Sequence, residues 1–523
     1  MPLHPSTLLL NARLFTNTSR RGTALAIRGE RIIAVGEEAQ ILALRGPRTR
    51  VCDLGGRLVT SGFTDSHVHL RGLARHLSDV RLEAARTLAE AVRRVAARVR
   101  TTPKGHWITG GGFDKNQWGD EFPTRHDLDI VAPEHPVALR ARDGHTFWLN
   151  SPAMKACGIT RRTQTPTGGL IRHDHRGQPT GILQETATRL VRDCPAYLEG
   201  RAGPEEVRRA LRHLLRLGLT SVHAMDDLSA LALFQDLRER GRLQARLTVY
   251  PYYVELDDLL AAGLRSGSGD EWLRIGGVKL LLDGTLGSQT AWLFAPHANS
   301  DAGCGLPLMS RRDLRAALRR AAEHGFACAI HAIGDRANAE ALDALEGVSD
   351  LRTPLPHRIE HAQLLRPEDL PRFAQLGVIA SMQPTHLVGD ASSADRYWGA
   401  RSRMAYAFAS LQRAGASPIF GSDAPIETAD VIAGLDAAVN RVSREGAVWY
   451  PQERVSLTSA LRAYTLGPAR ATGEDYLKGK LAPGYLADLV VLSDDPIARR
   501  SLRDTRVDMV WMGGKLRFRR AGS

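Results

Sequence analysis

The residues of this chain that offer chemistry are a few histidines, one lysine and one aspartate. In Gly62-Phe63-Thr64-Asp65-Ser66-His67-Val68-His69, period-two alternation puts His67 and His69 on one side of a strand, with Val68 opposite. Two imidazoles so placed can grip one metal ion, although a core or surface pair has the same spacing. A second pair, His173-Asp174-His175, runs into Arg176-Gly177 and reads as a solvated hairpin turn. Lys279 sits inside the apolar run Val278-Lys279-Leu280-Leu281-Leu282. Burying an unpaired ammonium is costly, so such a group sheds its proton, pairs with a neighbour such as Asp283, or snorkels at a strand end. A neutral amine can also take up carbon dioxide and become an anionic carbamate able to bridge two divalent ions. Arginine cannot do this, because its guanidinium does not deprotonate. Only seven of the 70 basic residues are lysines (Lys104, Lys115, Lys155, Lys279, Lys478, Lys480 and Lys515), so a lysine in an apolar strand asks for a reason.

Three more candidates lie downstream at the ends of expected strands. His331 ends Cys328-Ala329-Ile330, His361 ends Arg358-Ile359-Glu360, and Asp423 follows Pro418-Ile419-Phe420-Gly421-Ser422. Each alone is equally a hydrogen-bonded core histidine or a helix cap. As a set, His67, His69, Lys279, His331, His361 and Asp423 all lie on or at the ends of expected strands. In a parallel barrel the C-terminal strand ends converge on one face, where active sites sit. Nitrogen and oxygen ligands without thiolate suit zinc first, then manganese, nickel or iron.

Those strands belong to an alternating pattern. Glu206–Leu217 reads as a helix before the strand Thr220–Ala224. Arg274–Leu282 reads as a strand, and Ser310–His324 as a helix before Ala327–Ala332. Glu368–Leu376 reads as a helix before Val378–Met382. Repeated βα units over residues 61–474 predict an α/β fold, a TIM-type (β/α)8 barrel. Residues from about 80 to 200 are rich in Gly, Pro and His and carry a hairpin-like stretch, Gly168–Gly181; they read as an insertion over the barrel mouth. Its aromatics, Trp107, Phe113, Trp118, Phe147 and Trp148, either line a substrate pocket or form the insertion's own core. Both termini read as strands: Leu8–Thr16, a hairpin over Ala24–Val35, Ala487–Leu492, and a hairpin over Met509–Phe518. Residues 1–60 and 475–523 are therefore expected to form one small composite β domain.

Composition narrows the function. The 523 residues are 43% hydrophobic and 24% charged, an ordinary globular mixture. The net charge of +13 raises the question of nucleic acid. The basic residues are scattered among acids, as in Arg238-Glu239-Arg240, and no zinc finger or aromatic-basic motif appears, so no nucleic-acid partner is expected. The five cysteines, Cys52, Cys157, Cys194, Cys304 and Cys328, form no CxxC, which argues against a thiolate zinc site and fits a reducing, cytoplasmic setting. No signal peptide and no run approaching the ~18 apolar residues of a membrane helix are evident, so no membrane partner is expected.

The stretches GFTDSHVHL, VKLLLDGTLGSQTA, HAIGDRAN, RIEHAQLL and GSDAPIE, in this order, resemble the amidohydrolase superfamily. The branch is the YtcJ-like, or amidohydrolase 3, group that includes N-substituted formamide deformylases. DLGGRLVTSGF and GKLAPGYLADLVVLSDDP extend the resemblance to nearly the whole chain. It implies a (β/α)8 barrel with a small β-sandwich built from both termini, and one or two divalent ions, zinc foremost. His67 and His69 would bind the first ion, His331 and His361 the second, with carbamylated Lys279 bridging. Asp423 would ligate the first ion and handle protons while a metal-activated hydroxide attacks an amide carbonyl of a small-molecule substrate. Asp143-Gly144-His145 with Asn150, and Gly181-Ile182-Leu183-Gln184-Glu185, would lie near that substrate. Gln289 departs from the arginine expected in many relatives. Trp118, His145, Glu185, Asp283, Gln383 and Arg401 are the substrate-side candidates; an arginine at 401, in the loop with Trp398, could hold a carboxylate. Lactone or ester hydrolysis on the same fold is the alternative reaction, and a homodimer is the default assembly.

Overall fold

Leu8, Leu9, Leu25 and Ile27 are fully buried in a computed structural model of the chain, which describes residues 4–19, 21–118, 122–143, 145–199 and 202–522. The chain divides into two units, one of Met1–Leu70 with Leu211–Ser523 and one of Arg71–Ala210. Among the described residues no helix is long and apolar enough to cross a membrane.

In the first unit the termini build two sheets. Thr7–Leu10, Ala24–Arg28, Arg31–Gly36 and Arg50–Asp53 form one; Arg13–Phe15, Leu58–Ser61, Leu489–Leu492, Val507–Met512 and Lys515–Arg519 form the other. Leu9, Leu25 and Ile27 share one buried cluster with Val59, Leu489, Val491 and Trp511. The single strand expected over Leu8–Thr16 is two. Asn11 turns into the left-handed region at φ 50°, and the halves on either side enter different sheets.

The rest of this unit is parallel sheet and helix. Phe63–Val68, Leu219–Ala224, Arg246–Val249 and Leu273–Ile275 form one all-parallel sheet. Val278–Leu281, Cys328–Ala332, Arg358–His361, Ile379–Met382 and Ile419–Phe420 form another. Single parallel bridges, Val68 to Ala424 and Tyr252 to Lys279, link the two. The expected strand Arg274–Leu282 breaks at Gly276-Gly277: the part before pairs with Arg246–Val249 and the part after with Cys328–Ala332. Neither glycine has room for a side chain, since a Cβ at Gly276 would enter the Tyr250 ring and one at Gly277 the Ala327 carbonyl. Amphipathic helices separate the strands. In Arg311–Glu323 the buried residues Leu314, Ala317, Leu318, Ala321 and Ala322 follow the three-and-four spacing of one helix face, and Ser310 caps its start. The buried pair Arg246–Asp488, at 2.6 Å, ties a parallel strand to the terminal sheet.

The second unit has its own six-stranded mixed sheet, in the order Gly169–His173, Pro179–Glu185, Thr146–Leu149, Val137–Ala141, Ile108–Phe113 and Val80–Arg81. Its aromatics pack on one another, and Phe113 also lines a cavity of about 390 Å³ with Asp114, Phe122 and Arg142. The Phe113, Trp118 and Trp148 rings lie 5.6 to 6.0 Å apart, and Trp107 and Phe147 each pack edge-on against Tyr197. His173 and His175 are exposed around a turn in which Asp174 Oδ1 accepts from the Arg176 and Gln178 amides.

Candidate metal centre

Buried carboxylates and carbonyls orient the histidines. His67 lies one residue before the end of the strand Phe63–Val68, fully enclosed, and its Nδ1 lies 2.5 Å from Glu360 Oε2. His69 Nδ1 lies 3.0 Å from the Met225 carbonyl. A proton on each Nδ1 satisfies these partners and leaves the Nε2 lone pairs free. His331 is turned the other way: its Nε2 meets the Gly284 carbonyl at 3.1 Å, leaving Nδ1 as the free nitrogen. The rings of His331 and His361 are 4.6 Å apart, and those of His361 and His67 are 4.9 Å apart.

Asp423 faces this cluster. Its Oδ1 lies 3.2 Å from His69 Nε2 and 3.5 Å from His67 Nε2, and its Oδ2 lies 3.5 Å from His386 Nε2. One ligand atom each from His67, His361 and Asp423 all fall within 4.8 Å of one another. His361 (φ 71°) and Asp423 (φ 61°) both sit in the left-handed region. Asp65 ties the two ends of the site together: its Oδ1 accepts from the His67 amide (3.1 Å) and the Ser422 amide (2.9 Å). The close approach requires Gly421, where a Cβ would come within 2.5 Å of His67 N and 2.9 Å of Asp65 Oδ1.

Lys279 completes the set. It is 3% exposed and its Nζ has no hydrogen-bond partner. Burial pushes its pKa down to about 8, against the pull of Glu360 and Asp423. Burial also pushes His331 down to about 4 and holds His67 and His361 well below the ordinary value, with the Lys279 charge adding to each. Neutral imidazole is the form that binds a metal. Burial alone would raise the Asp423 pKa, but His69, His67 and His386 outweigh it and hold the carboxylate below its usual range.

Residues 50–518 match the model of the amidohydrolase family. The chain belongs to the amidohydrolase family. It is 35% identical to the Arabidopsis thaliana protein LONG AFTER FAR-RED 3, over 93% of this chain and 87% of that one. It is 30% identical to an N-substituted formamide deformylase of Arthrobacter pascens, over 99% of both chains. An uncharacterized metal-dependent hydrolase of Pyrococcus furiosus superposes with a TM-score of 0.79 at 32% identity, covering 94% of this chain and 99% of that one.

For this amidohydrolase, the fit to a divalent ion is tested by its own orphaned atoms. His67 Nε2, Asp423 Oδ1 and Lys279 Nζ are buried without hydrogen-bond partners, although His69 Nε2 approaches Asp423 in distance. Buried polar atoms are rarely left unpaired, and nitrogen and oxygen donors converging on one point suit a hard or borderline cation.

The structure brings together His67, His69, Lys279, His331, His361 and Asp423 around one cavity of about 390 Å³. The substrate-side candidates each have partners within their own unit. Asp283 is 1% exposed and accepts from the Trp292, Ile333 and Gly334 amides, so it anchors a loop. Arg401 donates to the carbonyls of Trp398, Ala295 and Pro296, which leaves little of its guanidinium for a substrate carboxylate. Gln383 is buried against the Ser381 carbonyl. Asn150 caps the helix Ser151–Ala156. Trp118 belongs to the core of the second unit, where its indole N–H donates to Ala85 O. His145 and Glu185 pair with each other at 3.1 Å, both exposed, in that same unit; Gly144 lies outside the described residues. Gln289 meets Ser300.

Sequence reasoning missed His386, Asp390, Gln363 and the Arg358–Glu360 pair. The strand-end logic that found His331 extends to His386, four residues past the strand Ile379–Met382. Arg358 donates to Glu360, Ser381 Oγ and the Ser66 carbonyl, fully buried, and so fixes the carboxylate that orients His67. Replacing Glu360 with glutamine is expected to weaken metal binding about 10- to 100-fold, through loss of His67 orientation. It also leaves the Arg358 charge uncompensated, at a cost of about 3–5 kcal/mol. Metal titration and thermal melts of the variant check both.

Proposed function

We propose that this amidohydrolase is a metal-dependent enzyme that hydrolyses a carbon–nitrogen, amide-type bond of a small molecule. The observation that carries the reading is the convergence of His67, His361 and Asp423 ligand atoms within 4.8 Å at the ends of parallel strands. The relative described as an N-substituted formamide deformylase supports the bond type. The two parallel sheets, bridged at Val68–Ala424 and Tyr252–Lys279, fit a single (β/α)8 barrel. His67, His69 and Asp423 would hold one zinc ion, His331 and His361 a second, with carbamylated Lys279 as their shared ligand.

A divalent ion in such a site lowers the pKa of a water to about 7 and polarises a carbonyl. Asp423, held ionised by His69, His67 and His386, takes the proton of the attacking water and returns it to the departing amine. His386 Nε2 lies 3.5 Å from the second carboxylate oxygen. Glu360 and the Met225 carbonyl keep the His67 and His69 rings in register for this exchange.

The test is a panel of N-substituted formamides, N-acyl amines, cyclic amides and lactones, assayed on the protein reconstituted with zinc and analysed for metal content. Amine release from an acyclic amide, abolished by chelation and restored by zinc, is the expected result. Turnover of lactones or esters alone would overturn the bond assignment, and chelator-resistant amidase activity would overturn the centre.

A further inference from the structure

We propose that Asp390 selects amides whose amine portion carries a cation, a refinement that rests on the amide-hydrolase reading. Asp390 lines the same cavity as the metal-centre residues. It lies four residues after His386 on the helix Pro384–Trp398, hence one turn, about 5.4 Å, along the same face. His386 Nε2 itself lies 3.5 Å from Asp423 Oδ2, so Asp390 stands one step back from the reacting atoms.

Its orientation is built rather than incidental. Oδ2 accepts from the Tyr406 hydroxyl at 2.6 Å and from Gln363 Nε2 at 2.8 Å. Tyr406 is 2% exposed, so this anchor is rigid. Both donors are neutral and both bind the same oxygen. Among the described residues no lysine or arginine pairs with Asp390, and Oδ1 takes no hydrogen bond. A carboxylate held in one position with its charge uncompensated, facing a cavity, is a receptor for a cation.

The remaining walls define the rest of the ligand. Leu281 and Ile426 are 43% and 67% exposed, and Leu286 and Ile333 also line the cavity, so part of its wall is apolar. No arginine is among the described residues lining it. Arg401, the arginine best placed in sequence to meet a carboxylate, is occupied by three backbone carbonyls. An amide with a short alkyl arm ending in an ammonium satisfies apolar wall and carboxylate together; the same arm ending in a carboxylate meets the wall but is repelled by Asp390.

The zinc-loaded full chain and its Asp390→Asn variant are compared on N-(3-aminopropyl)formamide, its neutral near-isostere N-butylformamide and the anionic N-formyl-4-aminobutyrate. The wild type is expected to prefer the ammonium compound over the butyl compound by at least about tenfold in kcat/KM, and to handle the carboxylate least well. Asparagine keeps an acceptor for Tyr406 and removes the charge, so the ratio falls to near one. A wild-type ratio near one, a preference for the carboxylate, or a parallel loss on all three compounds in the variant would overturn the proposal and leave Asp390 as a positioning partner of Gln363 and Tyr406. If none of the three is hydrolysed, the failure lies with the formamide bond, not with Asp390. Calorimetric Kd values of the same compounds for wild type and variant then decide Asp390, with the same ratio expected and the same equal binding overturning it.

Discussion

Replacing Asp423 with asparagine lowers kcat by about two to four orders of magnitude, while the variant stays folded and keeps its metal. Asparagine preserves the shape of the side chain and one acceptor oxygen, so the contacts of Oδ1 with His69 and His67 have a neutral substitute. It removes the ability to accept a proton. The three imidazoles around Asp423 hold its carboxylate below the usual range, so in the wild type the base is present throughout neutral pH. The cluster thus separates two roles of one residue: metal content reads the ligand role, and kcat the proton role. Loss of metal in proportion to activity would make Asp423 a ligand only. A near-normal kcat would remove the proton shuttle altogether. Because the residue sits at φ 61°, asparagine, which tolerates the left-handed region, is also the substitution least apt to disturb the backbone.

What was legible in the sequence was whatever depends on local periodicity. His67 lies on the strand Phe63–Val68 with His69 just past its end, and His331 and His361 lie at the C-terminal ends of the parallel strands Cys328–Ala332 and Arg358–His361. What was not legible depends on which distant segments become neighbours. Glu360 orients His67 across 293 residues of chain, a pairing no local pattern carries. Asp283 and Arg401 were the right residue types for holding a substrate, but type does not reveal partner, and backbone amides and carbonyls had claimed both. The breaks at Asn11 and at Gly276-Gly277 failed for a related reason. Apolar residues flank both breaks, and the change of sheet partner on either side is what a local pattern does not carry.

Replacing Lys279 with methionine should act in opposite directions on the apoprotein and on the enzyme. In the metal-free protein the buried amine has no hydrogen-bond partner, and its pKa is lowered from 10.5 to about 8. The charged form is therefore disfavoured by folding. Below pH 8 the amine is protonated in both folded and unfolded chains, and the full penalty applies, about 3 kcal/mol. As pH rises through 8 the folded chain loses its proton first and the penalty shrinks; above about 10.5 neither state is charged and it is gone. Methionine, unbranched and of similar length, removes the amine without opening a cavity. Its gain in Tm over wild-type apoprotein is expected to be largest at neutral pH and to fade toward pH 10.5. A gain that does not change with pH would mean that the charge of Lys279 is not what burial opposes. In the proposed centre the same lowered pKa would supply the neutral amine that carbon dioxide requires, so methionine would also remove the carbamate. Loss of the second ion and about a thousandfold lower kcat/KM are then expected, several kcal/mol of charge stabilisation. Growth or incubation with carbon-13-labelled carbon dioxide should give a carbamate carbon resonance in the wild type that methionine abolishes. Partial rescue of Lys279→Ala by short carboxylates would show that the missing group is an anion rather than an amine. Unchanged metal stoichiometry and rate in the methionine variant would take Lys279 out of the centre, and would leave its burial in an arginine-rich chain as a matter of packing alone.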